Sequence, residues 1–133
     1  FAEKDGTFTN SDRRVQRVRQ ALPAVGQSRP DWQILCDLAH RMEDFLGVEV
    51  SAGFSYGNVE AIWNEMRALT PPFYGITYER LEREGGVHWP CPSLDHAGTP
   101  YLFEDDFPRG KGKFWALDYT SDSEHPDENT III

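Results

Sequence analysis

Apolar positions recur at intervals of three and four in three stretches of the chain. Trp32, Leu35, Cys36, Ala39, Met42 and Leu46 predict a helix over about residues 32–46, with Asp31 at its N-cap and Gly47 after its last turn. Val59, Ile62, Trp63, Met66 and Leu69 predict a second helix, capped by Asn58 and stopped by Thr70-Pro71-Pro72. Its apolar stripe needs a partner surface. A third, shorter helix is predicted from Thr77, as cap, to Glu84, with Gly85-Gly86 as its end signal. Ahead of these, Arg13, Arg14, Arg17 and Arg19 alternate with Val15, Val18 and Leu22, a spacing that suits one face of a helix or an extended strand. Both readings stay open on periodicity. Pro23 to Pro30 then forms an irregular crossing, since Pro30 moves Arg29 out of the helical region.

Beyond Gly86 the pattern changes. Four prolines before Phe114, glycines at 98, 110 and 112, and short apolar pieces such as Tyr101-Leu102-Phe103 predict loops with brief strands. A strand-like run, Thr130 to Ile133, ends the sequence with nothing after it to pair against. The expected fold class is α+β, mainly helical over the first two thirds, with three helices, short strands and long loops. Residues 1–30 are expected to form a loop and a basic strand, 31–86 a helical part, and 87–133 a loop-rich connector.

Length and charge narrow the partners. With 133 residues, 39% hydrophobic, the chain suffices for one domain or a piece of one. Its formal net charge of −9 disfavours nucleic acid and anionic bilayers, and no apolar run approaches the roughly 20 residues of a spanning helix. Charge is uneven, however: residues 1–30 carry six basic and three acidic side chains, a basic island in an acidic chain. A first residue that is Phe1 rather than Met, together with the orphan strand, leads us to expect a segment of a longer protein. Cys36 and Cys91, 55 positions apart, are expected as reduced, buried thiols.

Residues able to carry chemistry are sparse. His88-Trp89-Pro90-Cys91 has the spacing of two zinc ligands, but no second pair accompanies it, and a Trp and Cys packed under a proline-rich turn is the expected role. Asp95-His96, and Asp37 with His40 or Arg41, are acid–imidazole combinations without a nucleophile, expected at the surface or capping turns. Glu104-Asp105-Asp106 reads as a solvated face. Lys4 to Asn10 mixes a cation, a glycine and hydroxyl side chains without the P-loop pattern, and is expected to be a turn able to meet an anion. Arg109-Gly110-Lys111-Gly112-Lys113 is read the same way.

The residues themselves add more than their spacing. Phe1 to Gln16 resembles a stretch of the molybdopterin-dependent oxidoreductases, and the likeness continues through Arg29-Pro30-Asp31-Trp32, Glu60 to Arg67 and Gly75 to Leu81. Trp89-Pro90-Cys91-Pro92 and Arg109 to Phe114 turn the resemblance toward formate dehydrogenase catalytic subunits. The resemblance implies a segment linking the α/β layers of the parent to its C-terminal cofactor-capping domain. It also implies a parent that holds molybdenum or tungsten between two molybdopterin guanine dinucleotides, with an iron–sulfur cluster. Carried over by position, Lys4 and Asp31 are implied to help hold one guanine dinucleotide: a carboxylate accepts from the guanine N1 and N2 donors, and an ammonium supplies charge. The N-cap role expected for Asp31 competes for the same side chain. The metal-ligating Cys or selenocysteine, its neighbouring His and the cluster cysteines of the family lie outside this segment, so no catalytic residue and no metal ligand is expected here, and binding of no cofactor by the segment alone is one expectation. The implied partners are the rest of the catalytic subunit and electron-transfer subunits; self-association of the isolated piece through uncovered apolar surface is a further expectation. The competing expectation is a stand-alone interaction domain using the Trp63–Leu69 stripe and the acidic tail, or a segment of another molybdopterin oxidoreductase.

Overall fold

A computed structural model describes residues 1–47 and 53–120. It divides into two units, residues 1–102 and 103–133, each described by itself.

Among the described residues, all regular structure lies in the first unit. Two strands, β1 (Gly6–Thr9) and β2 (Arg14–Val18), form an antiparallel hairpin in which Gly6 faces Val18 and Thr9 faces Val15. Helices α1 (Asp31–Leu46), α2 (Val59–Leu69) and α3 (Tyr78–Glu84) follow, with a 3₁₀ turn at Pro71–Phe73, and β3 (Val87–His88) then pairs antiparallel with β2. The sheet order is β1-β2-β3. The arginine cluster is thus a strand, because β2 is paired on both edges and turns Val15 wholly into the core. Lys4–Asn10, expected as a turn, is instead mostly β1. The turn lies after it, where Asn10 Oδ1 accepts from the Arg14 N–H at 2.9 Å and Arg13 takes a left-handed φ of 69°.

All three predicted helices form, with the expected ends. Asn58 accepts from the Ala61 N–H at 2.9 Å, Thr77 from the Arg80 N–H at 3.1 Å, and Gly47 and Gly85 close α1 and α3 in the left-handed region. The exception is the start of α1. Its N-cap is Pro30, which has no side chain to offer the first amides, and Asp31 is the first helical residue and caps nothing. Since β1 and β2 lie within the first eighteen residues, helices dominate only between residues 31 and 84.

Val15, Trp63, Ile76, Tyr78, Leu81, Val87 and Cys91 make the core, with Phe73 and Trp89 packed against it. The Trp63 indole donates to the Ile76 carbonyl at 2.7 Å, which removes the cost of burying its N–H. Cys91 lies fully buried with Trp89 beside it, and both cysteines are free thiols. Arg13 crosses to the far end of the unit, where its guanidinium donates to the carbonyls of Trp89, Thr99 and Pro100.

The second unit contains no helix or strand among its described residues. The Phe103 and Phe107 rings lie 5.2 Å apart at a 31° tilt, and Lys113 lies 3.8 Å over the Trp115 ring. The expected brief strand at Tyr101–Phe103 does not form; the backbone turns there, with Phe103 at φ 58°. The expected strand Thr130–Ile133 lies outside the described residues. Among the described residues no helix is long and apolar enough to cross a membrane.

Candidate nucleotide-binding corner

The segment ahead of β1 is held against the crossing that follows β2. The carbonyl of Ala2 accepts from the Ala21 and Leu22 N–H groups at 2.8 and 2.9 Å, and Asp5 Oδ1 accepts from the Gln20 N–H at 3.0 Å. Between those two ties stands Lys4. The chain then crosses from Pro23 to Pro30 and starts α1, which delivers Asp31 to the same corner, where the Lys4 Nζ donates to Asp31 Oδ2. The two sequence-implied site residues, 27 positions apart, therefore meet.

They stand on a cavity of about 380 Å³ that is also lined by Phe1, Glu3, Ser28, Arg29 and Pro30. That volume falls toward the small end of ligand sites, roughly 300–1,000 Å³. Lys4 is 36% exposed and Asp31 77%, so their ion pair is a solvent-screened one and either partner is available to a ligand. The hydrogen bond and charge of Lys4 hold the Asp31 carboxyl below the usual carboxylate range. Its place in the first turn of α1 acts in the same direction, because free helical amides favour a negative charge there. The corner therefore offers a carboxylate acceptor, an ammonium, the Ser28 hydroxyl and the Arg29 guanidinium, the last ion-paired with Asp37. Sequence reasoning named neither Ser28 nor Arg29 as site residues. The signal for Arg29 was its position just before Pro30-Asp31, while Ser28 gave none.

The other candidates are taken up in structure. Asp37 pairs with Arg29 and His40 lies 3.6 Å from Glu43, so the Asp37–His40 combination does not form. His96 Nδ1 accepts from the Gly98 N–H at 3.0 Å and Ser93 donates to Asp95, as turn-forming residues do. Of the arginines on β2, Arg17 stacks 3.7 Å over Tyr78 and pairs with Glu82, which Arg19 also reaches. Glu104–Asp106 and Arg109–Lys113 are exposed. Cys91 is hydrogen-bonded by Arg80 at 3.2 Å, and burial pushes its thiol pKa up. Among the described residues no three His, Cys, Asp or Glu side chains are grouped to hold a metal ion.

Residues 1–41, which carry both Lys4 and Asp31, match the family model of the molybdopterin oxidoreductases. The whole chain is 42% identical over 135 residues to an F420-dependent formate dehydrogenase subunit alpha of Methanocaldococcus jannaschii. The likeness is to the molybdopterin oxidoreductase family. Formate dehydrogenase H of Escherichia coli is 36% identical over 91% of the chain, and the assimilatory nitrate reductase catalytic subunit of Bacillus subtilis 41% identical over 80%. The chain spans 19%, 16% and 15% of those three relatives.

Proposed function

We propose that the chain is a segment of a formate dehydrogenase catalytic subunit and contributes one edge of a molybdopterin guanine dinucleotide site. The observation that carries this reading is the meeting of Lys4 and Asp31 on a cavity at the start of α1. The donor set suits a guanine nucleotide end. A carboxylate kept ionised by Lys4 accepts two parallel hydrogen bonds from the N1 and N2 donors, and the Lys4 ammonium and Arg29 guanidinium supply charge for the anionic part. Exchanging a solvated ion pair for this bidentate contact is favourable, because the exposed pair is weak while the guanine contact is charge-assisted and directional. The bound group, with its molybdenum or tungsten, supplies the two-electron chemistry in the whole enzyme, with an iron–sulfur cluster as electron acceptor. These residues bind and orient.

Formate as substrate is supported by the names of the formate dehydrogenase relatives. The partners are then the rest of the catalytic subunit and its electron-transfer subunits. A second reading, a segment of another molybdopterin oxidoreductase, is favoured by the nitrate reductase relative at comparable identity. The two separate on whether the full-length subunit oxidises formate or reduces nitrate.

In the full-length subunit, Asp31→Asn and Lys4→Ala are expected to weaken retention of the guanine dinucleotide roughly tenfold or more, since a charge-assisted partner is lost at each. Guanine nucleotide released per subunit on denaturation measures it. Unchanged nucleotide content in both variants, with unchanged circular dichroism, would remove Lys4 and Asp31 from the site.

A further inference from the structure

Helix α1 carries an apolar arc in two parts. Trp32, Cys36 and Ala39 face its own unit, with Cys36 and Ala39 buried. Next to them around the helix, Ile34, Leu35, Leu38, Met42, Phe45 and Leu46 are all exposed, Phe45 at 88%. At 3.6 residues per turn those six fall within about one third of the helix circumference. Leu35, Leu38, Met42 and Phe45 follow one another at spacings of three, four and three, the spacing of a seam that receives the side chains of a second helix. The polar arc beside it holds Asp37, Arg41 and Asp44. A continuous apolar stripe of this kind marks an interface.

Resting on the catalytic-subunit reading above, we infer that the Ile34–Leu46 stripe of α1 seats an amphipathic helix from the part of the catalytic subunit outside these 133 residues. Two observations favour that occupant over a second copy of the chain. Relatives that match the whole chain have about four fifths of their length outside the matched part, which supplies ample chain for a partner helix. Two copies would each bring a net charge of −9 to the contact.

The test is maleimide labelling of the full-length subunit carrying Leu38→Cys or Phe45→Cys, read by peptide mass spectrometry so that Cys36 and Cys91 are counted separately. Asp44→Cys, on the polar arc, reports a solvent-facing position of the same helix. We expect labelling at 38 and 45 at least tenfold slower than at 44 in the full-length subunit, at every protein concentration, and equally fast at all three in the isolated 133-residue chain at high dilution. Equal rates in the full-length subunit would leave the stripe uncovered and overturn the inference. Protection that disappears on dilution of the full-length subunit would assign the face to a second copy and overturn it too, as would protection in the diluted isolated chain. Hydroxyl-radical oxidation of Met42 and Phe45 in the unsubstituted proteins gives the same reading if a variant does not fold. Neither readout depends on nucleotide content or formate oxidation, so loss of the catalytic-subunit reading and loss of this interface are seen separately.

Discussion

Arg80 is the only charged side chain buried in the described part of the chain, and its surroundings explain how that is tolerated. Its Nε donates to both carboxylate oxygens of Glu84 at 3.0 Å, and Nη1 reaches the Gly75 carbonyl at 3.3 Å and the Cys91 sulfur at 3.2 Å. One guanidinium thus joins α3 to the loops on either side of it, a use of the planar fork that lysine lacks. Hydrogen bonds from Arg83 and then Arg80 hold the Glu84 carboxyl below the ordinary glutamate range. A depressed folded-state pKa stabilises the fold above the unfolded-state pKa, and that contribution is lost as pH falls through the folded value. Glu84→Gln is therefore expected to destabilise at neutral pH, with the gap to the unsubstituted chain closing as pH drops through the carboxylate range. Urea midpoints between pH 7 and pH 3 measure this, and a gap that widens on acidification would contradict it.

Among the helices the capping residues were the readable part. Asn58 and Thr77 do what short polar side chains do ahead of an apolar run, and Asn58→Ala is expected to cost about 1 kcal/mol, within the usual range of about 0.5–2. Thermal unfolding of the variant tests that value, and no change in midpoint would deny the cap a stabilising role. Asp31 was misread as a cap because its deciding partner, Lys4, lies 27 positions upstream and no window around α1 contains it. The same limit applies to the arginine cluster. Val15 and Val18 are three apart, which fits a helix as well as a strand, and the choice is made by Val87, which pairs with Val15 from the far side of all three helices. The pairing of Lys4 with Asp31 was legible only through resemblance to a family, since spacing and charge alone left Lys4 a solvated lysine. Leu35, Met42 and Leu46 share one periodic pattern with Cys36 and Ala39, and such a pattern does not separate the buried from the exposed part of an apolar arc.

For the molecule as a whole, the basic island at the N-terminus is largely consumed in holding the unit together. Lys4 meets Asp31, Arg13 three carbonyls, Arg17 and Arg19 meet Glu82, and Arg29 meets Asp37. Cys91 sits in the core with its pKa raised by burial, and Cys36 is turned inward on α1. The isolated chain is accordingly expected to show no formate-dependent reduction of an artificial dye, even when supplied with molybdenum cofactor. Turnover by the isolated chain would show that these residues do more than hold and orient.

The pairing of Val15 with Val87 also has a consequence for synthesis. A ribosome adding about 5–20 residues per second needs roughly 4–14 s to make the chain between those two partners. Through that interval the β1–β2 hairpin stands with one side of β2 unpaired, a ready template for the wrong strand. Arg14 and Arg17 lie on that strand and Arg19 just beyond it. Their like charges are expected to repel a second nascent copy of the same hairpin until Val87 arrives, so that Arg17 and Arg19, which pair with Glu82 in the folded unit, would first keep its open edge clean.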